Sequence, residues 1–316
     1  VTGGRERPTA ADVEAAAARI KGLVGRTPLI RSGWLSTVTG AEVWLKLETA
    51  QDTGSFKLRG ASNAIAILKE ARPDLSSVMT ASAGNHGLGL ATAARRLGVT
   101  ARVHLPRTAP KKKRDGLAQL GADLVEAATY DDAEKRAQEE RSGGATFISA
   151  YSDPDVIAGA GTIALEMLED QPSLDTFVVP IGGGGLISGI AIAVKGRVPD
   201  VRIIGAEAAA SPVWRHARAA GRLVTVEVRE TVADGLSGNI EPDSITFDIV
   251  RDLVERVVDI DEPAIASAMR ELMARERIRA EGAAATAVAA LLQPYESLNL
   301  AGRRVGVILS GSNTDD

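Results

Sequence analysis

Short β-forming runs alternate with Ala- and Leu-rich helical stretches along almost all of this 316-residue chain, and that alternation limits the fold more than any other feature. Candidate strands are "AEVWLKLE" (41–48), "SVMTAS" (77–82), "ARVHLP" (101–106), "ADLVEA" (122–127), "ATFIS" (145–149), "TFVVPI" (176–181), "VRIIGAE" (201–207), "RVVDI" (256–260) and "RVGVILS" (304–310). Helical patterns fall at 85–97, 110–120, 131–143, 156–169, 186–196, 262–276 and 282–293, and a further helix follows the polar N-terminal residues. Strands spaced by helices of this length predict an α/β fold with parallel sheets covered on both faces. Several runs are almost continuously apolar, as strands buried on both sides must be. With aromatics at 3%, the core has to be built mostly from Ala, Val, Ile and Leu.

Pro, Asp and Ser cluster at 72–76 and 150–155, the best candidate boundaries. They set off a small unit at 75–150 from a larger unit made of 1–74 and 151–316. The net charge of −4 gives no electrostatic reason to expect nucleic acid or an anionic membrane as partner. The absence of cysteine excludes disulfides, thiolate metal sites and cysteine nucleophiles. No apolar run reaches membrane-spanning length and no signal-peptide core is present, so a cytoplasmic location is expected.

In open α/β sheets ligands lie beyond the carboxyl ends of the strands, so the loops there are the places to look for chemistry. "ASAGNHGLGLA" (81–91) puts Ser82, Asn85 and His86 at a helix start, where free backbone N–H groups attract anions. "PIGGGGLISG" (180–189) follows a strand and opens a helix, and its four glycines let the backbone approach a ligand closely. No Gly-Lys-Ser/Thr ends this loop, and Ser188 stands where a G-x-G-x-x-G pattern needs glycine, although Glu207 could imitate the acid that holds a dinucleotide ribose. "ILSGSN" (308–313) presents Ser310 at the end of the last strand. His86, His104 and His216 have no metal-ligand spacing, "PKKKRD" (110–115) reads as a solvated face, and no G-x-S-x-G elbow occurs.

"GSFKLRGA" (54–61) sets Lys57 between Phe56 and Leu58. An amine held among apolar neighbours has a lowered pKa and is a better nucleophile. An amine nucleophile, a phosphate cradle without nucleotide signatures and polar strand-end loops together suggest pyridoxal phosphate. A non-catalytic nucleotide-phosphate binder would use the glycine loop alone and leave Lys57 without a role.

"QDTGSFKLRGA", "SAGNHG", "DPDVIAGAGTIALE", "GGGGL", "VADG" and "LSGSN" occur in an order that resembles the β-family (fold type II) pyridoxal-phosphate enzymes, in the threonine/serine dehydratase and serine racemase branch. The resemblance runs from "RTPLI" (26–30) to "ILSGSN". It implies two open, twisted, mostly parallel sheets of the tryptophan synthase β type, with 75–150 as a small mobile domain carrying the asparagine loop. It implies that Lys57 holds the cofactor as a Schiff base, Phe56 packs on the ring, Asn85 meets the ring hydroxyl and Ser310 meets the ring nitrogen. Gly182, Gly183, Gly184, Gly185 and Leu186 would bind the phosphate, with Glu281 near the ring. Ser82, Ala83, Asn85 and His86 would surround the substrate carboxylate.

The implied activity is a dehydratase, or ammonia-lyase, that turns a 3-hydroxy amino acid such as L-threonine or L-serine into a 2-oxo acid and ammonia. Ala83 stands where racemases of this branch carry a second serine, which favours the dehydratase; an amino acid racemase or epimerase is the alternative. "AEGAAA" (280–285) and 235–252 depart from the commonest dehydratase wording and leave 3-hydroxyaspartate or phenylserine open as substrates. Glu207 matches the first acid of the family's divalent-cation site (Mg or Ca), but "AAASPVW" offers no second. The resemblance also implies a homodimer or homotetramer. The sequence ends soon after Ser310, and isoleucine feedback through a C-terminal regulatory domain is not expected.

Overall fold

The computed structural model describes residues 6–293 and 298–314. Nine strands lie among them: β1 (Leu29–Ser32), β2 (Glu42–Leu47), β3 (Ser77–Ala81), β4 (Thr100–Pro106), β5 (Asp123–Ala127), β6 (Thr176–Pro180), β7 (Arg202–Ala208), β8 (Arg256–Ile260) and β9 (Arg304–Leu309). Six form one sheet in the order β1-β2-β9-β6-β7-β8, and β3-β4-β5 form a second. Only the β1–β2 pair is antiparallel. The fold is the α/β class read from the sequence, with two open, mostly parallel sheets. No helix among the described residues is long and apolar enough to cross a membrane.

The six-stranded sheet is covered on both faces, and β6 shows how. All five of its residues are buried. Phe177 and Val179 pack with helices Pro154–Asp170 and Gly185–Arg197, while Val178 packs with the Ala-rich helix Gly282–Leu292. Successive strand side chains point to opposite faces, so a strand serving two apolar layers needs an unbroken apolar run. A separate apolar cluster joins β3 and β4 to helix Asn85–Arg96 and to the start of helix Lys57–Ala71.

Four departures from the expected elements have local causes. The run 145–149 is not a strand: it touches β3 through one bridge, with Met79 N–H donating to Thr146 and Ile148 N–H to Met79, at 2.8 and 2.9 Å. The chain then turns off, and the Ser149 hydroxyl accepts from Ser152 N–H at 3.2 Å. Strand β1 is not among the expected runs, because it is four residues long with Arg31 exposed in its middle. Neither is helix Lys57–Ala71, since Gly60, Ser62 and Asn63 weaken its first turns. Burial of every residue from Leu58 to Ala66 supplies what propensity lacks. The helix expected over 262–276 is regular only over Glu262–Glu271 and closes in a π-turn at Leu272–Glu276, before Arg277 at φ 59°.

Helix Lys57–Ala71 lies backbone to backbone on helix Pro154–Asp170. A Cβ at Gly159 would stand 2.7 Å from both the Arg59 carbonyl oxygen and Gly60 Cα, atoms that cannot swing aside. Gly159→Ala is expected to lower stability by roughly 1–3 kcal/mol, the usual cost of overpacking a close-packed contact. The check is the urea midpoint, and an unchanged midpoint would show that the two helices can part.

Candidate active site

Three strand-end loops and one helix start face a common cavity of about 1640 Å³. The loop after β3 supplies Ser82, Ala83, Asn85 and His86, the loop after β6 supplies Gly182 to Leu186, and β9 hands over to Ser310. Lys57, the first residue of helix Lys57–Ala71, lines the same space with Phe56 and Glu281. The structure thus brings together every residue predicted for the site except Glu207.

Lys57 Nζ donates to the Ala150 carbonyl at 2.9 Å and lies 5.1 Å from the centre of the Phe56 ring. Burial pulls its pKa down from 10.5 to about 8, against the opposing attraction of Glu281. An amine in this state loses its proton far more readily than a solvated lysine.

The glycine loop is held from outside the cavity by side chains. The Trp214 indole N–H donates to the Gly182 carbonyl at 2.6 Å, and the Thr246 hydroxyl donates to the Gly183 carbonyl at 2.9 Å. Gly184 adopts φ 89°, and helix Gly185–Arg197 begins directly after it. The first N–H groups of that helix have no acceptor within it. With carbonyls pinned and amides unspent, the loop suits an anion. A Cβ at Gly183 would fall 2.3 to 2.7 Å from ring atoms of Tyr151, which closes the loop from below.

The Ser310 carbonyl accepts from Phe56 N–H at 3.0 Å, while its hydroxyl makes no hydrogen bond among the described residues. Asn85 is already engaged. Its amide N–H donates to both Glu281 oxygens at 2.8 and 3.1 Å, and its oxygen accepts from Asn313 at 2.7 Å. Burial pushes Glu281 up to about 7, against the lowering effect of the Asn85 bond.

His86 is buried and donates through Nε2 to the Ile148 carbonyl at 3.2 Å, which leaves Nδ1 as an unpartnered acceptor. Burial first, and Lys57 second, hold its pKa down at about 3. A neutral ring whose N–H is spent offers nothing to a carboxylate, so His86 can serve an anion only through its backbone N–H in the first turn of helix Asn85–Arg96.

Glu207 stands apart from the cavity. Its two oxygens accept from Trp214 N–H at 2.9 Å and Arg215 N–H at 2.8 Å, capping the first turn of helix Val213–Ala220. Burial raises its pKa, and Asp259 alongside adds to the rise. Among the described residues no group of three or more His, Cys, Asp or Glu is placed to hold a metal ion.

Sequence reasoning missed Tyr151, Trp214 and Thr246, which shape the glycine loop, and Ala150, which holds the lysine. One signal was available: in a chain with three Trp and three Tyr, each aromatic in a non-periodic stretch is worth placing.

The profile of the "Pyridoxal-phosphate dependent enzyme" family matches residues 20–311. The chain belongs to that family. It is 41% identical to the L-threonine ammonia-lyase of Thermotoga maritima over 97% of this chain and 76% of the relative. Its fold superposes on maize serine racemase with a TM-score of 0.91 at 35% identity, covering 98% of this chain and 95% of that one. The processed form of threonine deaminase isoform 2 from Solanum lycopersicum gives 0.88 at 30% identity, over 100% of this chain and 95% of that one. The residues present fit the family's cofactor: a desolvated amine, a loop of free amides and an unpaired hydroxyl meet in one cavity.

The contact between Gly183 and Tyr151 gives a direct test. Gly183→Ala should weaken pyridoxal phosphate binding by on the order of tenfold or more, since the loop must shift to clear the ring. Titrating cofactor absorbance reads the change, and wild-type affinity would show that the loop does not bind the phosphate.

Proposed function

We propose that the protein is a pyridoxal-phosphate-dependent ammonia-lyase that converts a 3-hydroxy amino acid, such as L-threonine or L-serine, to a 2-oxo acid and ammonia by β-elimination. Lys57 carries the cofactor, and the amides of Gly182 to Leu186 bind its phosphate. Phe56 would lie against the ring and the Ser310 hydroxyl would meet the ring nitrogen, while Asn85, bonded to Glu281 and Asn313, would share or exchange one of those bonds to meet the ring hydroxyl. The bound cofactor supplies an electron-withdrawing ring that acidifies the Cα–H of an amino acid joined to it. With the cofactor bound, Lys57 Nζ would be the base that takes the Cα proton of the substrate. Backbone N–H groups at the start of helix Asn85–Arg96 hold the substrate carboxylate, as a helix N-terminus does. Residues 75–150 form the unit that closes over the substrate, and the assembly is a homodimer or homotetramer.

One observation carries the choice of a lyase over a racemase: the cavity wall at position 83 is an alanine methyl. Inverting Cα needs a proton donor on each face of the substrate, and Ala83 has no proton to give. The greater identity to a threonine ammonia-lyase than to a serine racemase supports the same choice.

A screen for ammonia release over L- and D-serine, threonine, 3-hydroxyaspartate and phenylserine should find turnover with a 3-hydroxy L-amino acid. Lys57→Ala should abolish 2-oxo acid formation. Inversion of substrate without ammonia, read by chiral chromatography, would replace this reading with the racemase.

The depressed pKa of Lys57 predicts a pH dependence in the cofactor-free protein. The neutral amine increases as pH rises through about 8 and then levels off, whereas an ordinary lysine would keep rising to 10.5. Reaction of Lys57 with an amine-directed reagent, followed by peptide mass spectrometry, should therefore show a midpoint near 8; one near 10.5 would mean that the amine is solvated.

A further inference from the structure

Four charged side chains are buried together two residues beyond the reactive lysine, and the chemistry described above uses none of them. The side chains of Lys46, Glu48 and Arg59 are 0%, 0% and 1% exposed, and that of Glu166 is 16% exposed. Arg59 Nε and one terminal nitrogen each donate to Glu48 at 2.8 Å, as a fork on a carboxylate. Both terminal nitrogens donate to Glu166, at 2.7 and 3.0 Å, and one reaches the Thr162 hydroxyl at 3.2 Å. Lys46 Nζ donates to Glu166 at 2.6 Å and to the Thr27 carbonyl at 2.7 Å. Two cations and two anions balance, and burial of the Arg59 charge is more than offset by Glu48 and Glu166.

Such a cluster is a poor way to gain stability. Desolvating the charges costs several kcal/mol each, and apolar residues of like size commonly do as well or better. Its distinctive property is direction. Apolar contacts let a helix slide or roll, whereas a planar guanidinium bonded to two carboxylates fixes an orientation. Residues two apart on a helix point about 200° from one another. Arg59 therefore faces into the clamp formed by Glu48, just after β2, and Glu166 on helix Pro154–Asp170, while Lys57 faces the cavity.

We infer that Arg59 is a positioning residue, whose fork on Glu48 and Glu166 sets the roll of helix Lys57–Ala71 and so aims Lys57 Nζ at the reacting atoms. This rests on the reading of Lys57 as the residue that carries the cofactor. Loss of the fork lets the first turn roll, and Lys57 and everything attached to it tilt. A misplacement of about 1 Å at a reacting group can cost on the order of a hundredfold in rate.

The test is Arg59→Lys in the holoenzyme, which keeps the charge and discards the fork. The folded variant, confirmed by far-ultraviolet circular dichroism, should show an altered visible dichroism of the Lys57-linked cofactor. Its kcat should fall on the order of 10- to 100-fold with KM within about twofold, because alignment rather than binding is lost. A lowered melting temperature with wild-type visible dichroism and kcat would overturn the inference, since a merely structural clamp behaves that way. If Arg59→Lys does not fold, Glu48→Gln keeps an acceptor but loses one arm's charge-assisted fork and should shift dichroism and kcat the same way by less; no shift in either also overturns it. A wild-type protein with no visible band after cofactor addition would sink the cofactor reading itself, and is distinguishable from a failure confined to Arg59.

Discussion

The hardest thing this fold does is to keep a lysine amine out of water at the wall of a cavity. An ammonium is strongly solvated, and a buried one is stable only if something accepts its protons. Among the described residues Lys57 has one acceptor, the Ala150 carbonyl, and the Phe56 ring beside it. That single bond suffices for a neutral amine and is poor provision for a cation, which is why the pKa falls. The Ala150 carbonyl is available only because the chain at 149–152 turns away from β3 instead of pairing along it. The next residue, Tyr151, then lies against the glycine loop. One irregular turn thus serves the amine and the glycine loop together.

The glycine loop depends on a second chain of contacts. Glu207, at the end of β7, caps the start of helix Val213–Ala220; the cap fixes Trp214, and the Trp214 indole pins the Gly182 carbonyl. An acidic residue at a strand end next to a glycine loop looks like a cation or ribose ligand in sequence. In the fold its oxygens are spent on backbone N–H groups, and its effect on the cavity passes through an aromatic side chain.

What could be read from the sequence was what local sequence encodes. β6 and β9 announce themselves because burial on both faces demands an unbroken apolar run. The loops that follow them show their glycines, asparagine and serine within a few residues of the strand ends. Lys57, Asn85, Ser310 and the glycines were therefore legible as residues that would face one cavity. The supports were not. Trp214 meets Gly182 across 32 positions, Thr246 meets Gly183 across 63 and Lys57 meets Ala150 across 93, so no local pattern ties them. Helix Lys57–Ala71 was hidden for the same reason: its weak first turns are stabilised by Gly159 and Arg59 contacts that only the folded chain provides. His86 lies in the predicted loop, but composition cannot tell a ring facing a ligand from one turned back onto a carbonyl.

Beside the apolar packing of helix Asn85–Arg96 on helix Lys57–Ala71, a polar tie crosses the cavity between the two sheets. Asn85 leads the helix that follows β3, whereas Glu281 and Asn313 belong to loops around the six-stranded sheet, and the three are joined by their side-chain and backbone hydrogen bonds. Water can replace such bonds one for one, so parting them costs little, whereas parting an apolar seam of the same size exposes surface that water cannot satisfy. Glu281, with its pKa near 7, adds a further property. Ionised, it accepts the Asn85 amide as a charge-assisted bond; protonated, it holds that amide less firmly. The tie between the asparagine loop and the larger sheet is thus tighter above neutral pH than below it.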